Sequence, residues 1–136
     1  MNIRTAGVDD AESVLSFFQQ YAEPSLTDTP EAVALLLAHP TANVLVAEDS
    51  NALVGTLVVA WDGWRGNLYH LAVATERRRE GIASRLVTAG LEWLRERGAQ
   101  RVSALVVEDH DYAVATWEAS GFQRTDGLGR WFKMLS

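Results

Sequence analysis

Between Leu68 and Val87 the chain reads Leu-Tyr-His-Leu-Ala-Val-Ala-Thr-Glu-Arg-Arg-Arg-Glu-Gly-Ile-Ala-Ser-Arg-Leu-Val. An apolar run passes into a basic turn, and the turn into an amphipathic helix opened by small residues. A helix start leaves its first four N–H groups without intrahelical acceptors, and the aligned peptide dipoles add positive charge at that end. An anion set there accepts several amide hydrogens at once. Close approach needs small side chains: Gly81 has none, Ala83 has a methyl, and Ser84 adds a hydroxyl. Arg78 and Arg79 extend the positive field from the turn. A pyrophosphate suits this string of donors better than a single carboxylate. The same residues would also make an ordinary solvent-exposed start to a helix. The pattern is not the dinucleotide fingerprint, whose glycines follow an early strand and are joined later by a ribose-binding acid. It is not a P-loop either, since Gly-Lys-Ser/Thr is absent.

Other chemistry is limited by composition. There is no cysteine, which excludes disulfides and thiol catalysis. The three histidines, His39, His70 and His110, show no zinc spacing such as His-Glu-x-x-His. The net charge of −6, from 12 basic and 18 acidic residues, disfavours nucleic acid as a partner. Against that background the Arg77-Arg78-Arg79 cluster suits a specific small anion. No run approaches the roughly 18 apolar residues of a membrane span, and Met1-Asn-Ile-Arg-Thr lacks a signal peptide's apolar stretch. The expectation is a soluble, cytoplasmic protein with no membrane partner, folded as one domain over residues 1–136.

The elements that must position the turn follow from periodicity. Ile3–Thr5 reads as a strand. Asp9 or Asp10 can cap a helix whose buried side uses Val14, Leu15, Phe17 and Phe18. Thr29-Pro30-Glu31 opens a second helix, with a cap oxygen, a proline at the first position and an acid in the first turn. Strands follow at 44–48, 53–61 and 67–74, with Asp62-Gly63 as a hairpin turn. The segment 80–97 is a long helix closed by Gly98. A strand at 102–107, a helix at 111–119 and a terminal hairpin around Asp126-Gly127 complete the chain. Strand-helix-strand makes 67–74 and 102–107 parallel neighbours. The reading is α/β, a mixed sheet covered on both faces, in the order strand, two helices, three strands, helix, strand, helix, two strands.

Arg78-Arg-Glu-Gly81-Ile-Ala83 resembles the Arg/Gln-x-x-Gly-x-Gly/Ala signature of the GCN5-related N-acetyltransferases, the GNAT superfamily. Leu71-Ala-Val73 is similar to the end of that family's fourth strand. Ala113, Glu118 and Gly121-Phe122 fall at the spacing of its second signature, Asn-x-x-Ala-x-x-x-Tyr-Glu-x-x-Gly-Phe. The likeness covers essentially the whole chain, and Trp61-Asp-Gly-Trp-Arg-Gly66 resembles small bacterial members of unassigned substrate. It implies a GNAT-like acyl-CoA N-acyltransferase fold binding acetyl-CoA. The pyrophosphate would lie on Arg78, Arg79, Gly81, Ala83 and Ser84. The pantetheine arm would extend beside the fourth strand, bonding Leu71 and Val73 much as an added strand does. His110 stands where the family has a cofactor-contacting asparagine.

Acetyl transfer to an amine needs an unprotonated nitrogen, help for the developing oxyanion and a proton for the departing thiolate. The family's tyrosine acid is replaced by Trp117, whose indole N–H donates a hydrogen bond but is no practical acid. Tyr112, about 140° around the helix axis from it, does not simply inherit the role. Water or another side chain can protonate a thiolate. For the base, His70 is the first candidate, because an imidazole titrates around neutrality, and Glu108 is the alternative. The same histidine could instead be half-buried and bonded to backbone. By resemblance the acceptor pocket involves Tyr21, Glu23, Trp61, Asp62 and Trp64, whose aromatic faces and carboxylates attract an ammonium group. Trp61 and Trp64 could equally pack across the hairpin, with Asp62 a turn residue. The expected function is acetyl transfer to a primary amine of a small molecule or peptide, the alternative a catalytically weak acyl-CoA-binding sensor. A homodimer is the default expectation.

Overall fold

The computed structural model describes residues 1–135. Five strands form one mixed sheet in spatial order β1-β2-β3-β4-β5: β1 Asn2–Thr5, β2 Ala42–Asp49, β3 Ala52–Trp61, β4 Gly66–Val73 and β5 Val102–Ala104. The first three pairings are antiparallel and β4–β5 is parallel. Helices α1 (Ala11–Tyr21) and α2 (Pro30–Ala38) cover one face, and α3 (Ile82–Glu96) covers the other. Helix α4 (Asp111–Ala119) follows β5.

Strand periodicity divides the core between the two faces. Val44, Val46 and Val58 pack under α1 and α2 with Val14, Phe18, Val33 and Leu37. Leu45, Ala47, Leu57, Val59 and Leu68 pack under α3 with Ile82, Leu86, Val87 and Leu94. Helix α2 starts as its sequence dictates: the Thr29 side chain accepts the Ala32 N–H at 3.2 Å and Pro30 takes the first helical position. Helix α3 lies close on the sheet because glycine occupies the contact points. A Cβ on Gly55 would stand 2.8 Å from Leu86, and one on Gly90 would stand 2.9 Å from Leu57.

Two expectations fail at the chain's C-terminal side. The strand expected over 102–107 stops at Ala104, and its last ladder bond is Leu105 N–H to the Leu68 carbonyl at 3.1 Å. Beyond Leu68, β4 carries a bulge. Val58 pairs with Tyr69 and Thr56 with Ala72, so Leu57 opposes both His70 and Leu71. The bulge turns β4 out of the register that β5 would need. The terminal two strands are also absent: among the described residues no strand follows α4. Asp126-Gly127 does turn, with Gly127 at φ 81°, but a three-residue β5 offers little edge for a ladder. Gly127 and Gly129 also weaken the flanking segments as strands.

Candidate functional site

The bulge decides what the end of β4 presents. Ala74 N–H bonds the Val54 carbonyl at 2.9 Å, so Ala72 and Ala74 face β3. By strand alternation the backbone groups of Leu71 and Val73 point to the opposite side. Among the described residues no strand pairs with that side, since the β4–β5 pairing covers only Gly66–Leu68. A cavity of about 370 Å³ opens where the strands part, lined by Asn67, Leu68, Tyr69, Ser103, Ala104 and Leu105 among others.

A short 3-10 turn, Thr75–Arg77, carries the chain from β4 to the start of α3. Gly81 adopts φ 82°, ψ 10° and Arg79 has φ 70°. The left-handed region disfavours a Cβ, and a Cβ on Gly81 would meet no atom within 4 Å. The space in front of Gly81 is therefore open. Among the described residues no side chain caps α3. Its first helical bond is Arg85 N–H to the Gly81 carbonyl, which leaves Ile82, Ala83 and Ser84 as free amides. Ser84 is exposed, whereas the Ala83 methyl is buried against the sheet. The small side chain at 83 thus serves packing on one side while its amide stays at the helix end.

The arginine triplet divides by partner. Arg77 bonds Asp49 at 2.8 Å and Glu80 at 2.9 Å, and the two carboxylates hold its guanidinium well above the ordinary value. Its role is to tie the turn to β2. Arg79 is exposed. The Nε of Arg78 is buried and has no hydrogen-bond partner among the described residues. Its guanidinium stands 5.3 Å from the ring of Tyr112 on α4. The Tyr112 ring in turn lies 6.3 Å from that of His110, which caps α4 by accepting the Ala113 N–H at Nδ1. The start of α4 therefore flanks the turn. A buried unpaired donor is costly, roughly 1–3 kcal/mol, and an anion at Arg78 would satisfy it.

His70 occupies the bulge with φ 52°. A non-glycine residue held there stores on the order of 1 kcal/mol of strain. The extra residue swings its ring to the α1 face, edge-on to Phe18 at 4.8 Å between centroids. There Nε2 lies 3.0 Å from Asp28 Oδ1 and 3.3 Å from Oδ2. Asp28 was missed by sequence reasoning. It sits 42 residues away in the loop before α2, and its only local signal is the neighbouring helix cap.

The remaining candidates scatter. Tyr21 reaches the exit of β4, its hydroxyl donating to Glu76 at 3.3 Å. Burial and the Glu76 carboxylate raise its phenol above the ordinary value. Glu23 is exposed in the segment after α1. Glu108 is exposed and paired with Arg124 at 3.3 Å. Trp61, Asp62 and Trp64 stand at the opposite end of β4, roughly 20 Å from the turn at about 3.3 Å per residue. The strands part at the other end, so the hairpin does not face the gap. Trp61 and Trp64 line a cavity of about 520 Å³ with Arg65, Arg97 and Arg101. Asp62 accepts the backbone N–H of Trp64 at 2.8 Å and of Arg65 at 2.7 Å, which lowers its carboxyl below the usual range. Trp117 is a core residue, packed edge-on against Phe122 at 4.9 Å.

A family model described as "Acetyltransferase (GNAT) family" matches residues 11–122, well over half of the chain. Solved structures share the fold at low identity. An aminoglycoside antibiotic 6'-N-acetyltransferase from Acinetobacter haemolyticus superposes with TM-score 0.81 at 21% identity, covering 100% of both chains. A ribosomal-protein-alanine N-acetyltransferase from Brucella melitensis biovar Abortus 2308 gives 0.77 at 18%, covering 98% of each. The aminoglycoside enzyme AAC(6')-Iy, in complex with a CoA-containing bisubstrate analogue, gives 0.80 at 16%, also covering 98% of each.

Proposed function

Since the chain belongs to the GNAT family of acetyltransferases, we propose that it moves an acetyl group from acetyl-CoA directly to a primary amine of a small molecule or peptide. The observation that carries this reading is the buried, unpartnered Arg78 Nε beside the uncapped amides of α3. An orphaned donor, three free N–H groups and an open space before Gly81 fit a diphosphate. The unpaired edge of β4 fits the amide chain of a pantetheine arm.

When bound, acetyl-CoA supplies an acetyl group activated as a thioester. Every other part is this chain's own. Arg78, Arg79, Gly81, Ala83 and Ser84 hold the anionic end, with His110 and Tyr112 flanking them from α4. Leu71 and Val73 would align the arm, and a backbone N–H near Val73 would polarise the acetyl carbonyl. His70 takes the proton that an ammonium group must lose before its nitrogen can attack. Tyr21, at the β4 exit, is the acceptor candidate nearest this machinery, while the hairpin residues line a separate cavity. Glu108, exposed and already paired with Arg124, is the alternative candidate for the base. Trp117 lies in the core and supplies no acid, so water or another side chain would protonate the leaving thiolate.

Calorimetry with CoA, followed by thiol-release assays with aminoglycosides, polyamines and N-terminal peptides, tests this reading. Binding with thiol release and a product heavier by one acetyl group supports it. Binding without release from any amine supports the sensor reading instead, and no binding refutes both.

A further inference from the structure

We infer that Asp28 is the positioning residue for His70, fixing which ring nitrogen accepts the acceptor's proton; this rests on the reading of His70 as the base. Both side chains are largely buried, His70 at 18% and Asp28 at 11% exposed. Such a pair holds its geometry in a way a surface pair does not. Three further contacts hold the ring and its backbone: Phe18 edge-on, Tyr69 at 6.2 Å, and the Thr56 hydroxyl, which donates to the His70 carbonyl at 3.4 Å. Thr56 is fully buried, so the bulge is anchored from β3.

The carboxylate can only accept, so the neutral ring places its proton on Nε2 and donates it to Asp28. The lone pair is then on Nδ1. Nδ1 has no hydrogen bond among the described residues, so it is the atom free to act. In the proton step, the N–H bond of the ammonium breaks, its electron pair returns to the amine nitrogen, and the proton bonds to Nδ1. The imidazolium so formed faces the Asp28 carboxylate at 3.0 Å and later loses the proton to water. Asp28 is the charged group hydrogen-bonded to the ring. Tyr69 also titrates, and burial raises its phenol.

The test compares the parent, Asp28→Asn, His70→Asn and the double variant for thiol release across pH, using an amine that the parent acetylates. Asparagine is chosen at position 70 because it tolerates positive φ. Asp28→Asn should lower kcat at least about tenfold with KM for acetyl-CoA unchanged. In the His70→Asn background the same change should cost nothing further, since Asp28 acts through the ring. Nitrogen NMR of the parent should show the neutral His70 protonated at Nε2. An equal loss in both backgrounds, no loss in either, or a ring protonated at Nδ1 would overturn the inference while leaving acetyl transfer intact. A parent that releases no thiol with any amine removes the underlying reading and the inference with it.

Discussion

Replacing Gly81 with alanine separates fold from ligand, because a matched control lies at the other end of the same helix. Gly81 has φ 82° and Gly98 has φ 101°, and a Cβ at either position meets nothing within 4 Å. Both substitutions place an L side chain in the left-handed region, at about 1–2 kcal/mol each. Each variant should therefore melt roughly 3–6 °C below the parent. Only Gly81→Ala should also lose cofactor. Its methyl would occupy the space facing the α3 amides, displacing a diphosphate from about two charge-assisted hydrogen bonds. At roughly 1.5 kcal/mol each, the loss is on the order of 100-fold in Kd for CoA. Differential scanning calorimetry reads the first quantity and isothermal titration the second. Equal CoA affinity in Gly81→Ala and the parent would refute the placement. An equal affinity loss in Gly98→Ala would show that the effect is merely lost stability.

The arginine triplet gives a second contrast. Arg78→Met should weaken CoA binding by about tenfold with no fall in melting temperature, because it removes a buried donor that has no partner. Arg77→Met should do the reverse, freeing Asp49 and Glu80 while leaving CoA affinity near the parent value. Acid stability tests the electrostatics of the N-terminal corner. Arg4 beside Asp10, helped by the Gly7 N–H, lowers the Asp10 carboxyl to about 2 from 3.8. Its contribution is complete above pH 3.8 and is lost as pH falls through about 2. Solvent screening limits it to about 1 kcal/mol. Denaturant titrations of Asp10→Asn and the parent between pH 6 and about 2 should converge at the acid end.

Sequence patterning exposes the sheet because one residue in two faces each helix layer: Leu45 and Ala47 alternate with Val44 and Val46, and each set finds its own helices. The turn was legible for a similar reason, since Gly81 and the arginines combine local chemistry with a helix start. Long-range and strained features left no such trace. Nothing near His70 announces a bulge with positive φ, and no local pattern couples it to Asp28. The three arginines look alike as a run, yet Asp49, 28 residues away, makes Arg77 structural. The terminal hairpin was misread because Asp126-Gly127 specifies a turn without specifying an edge for the flanking segments to pair with.

The decisive measurement is a crystal structure of the protein with CoA bound. The diphosphate oxygens should lie within about 3 Å of the Ile82, Ala83 and Ser84 amide nitrogens and of Arg78 Nε, with the pantetheine amides paired to Leu71 and Val73. Phosphates seated instead in the cavity beside Trp61, Arg97 and Arg101, or a β4 edge left unpaired by the ligand, would contradict the account.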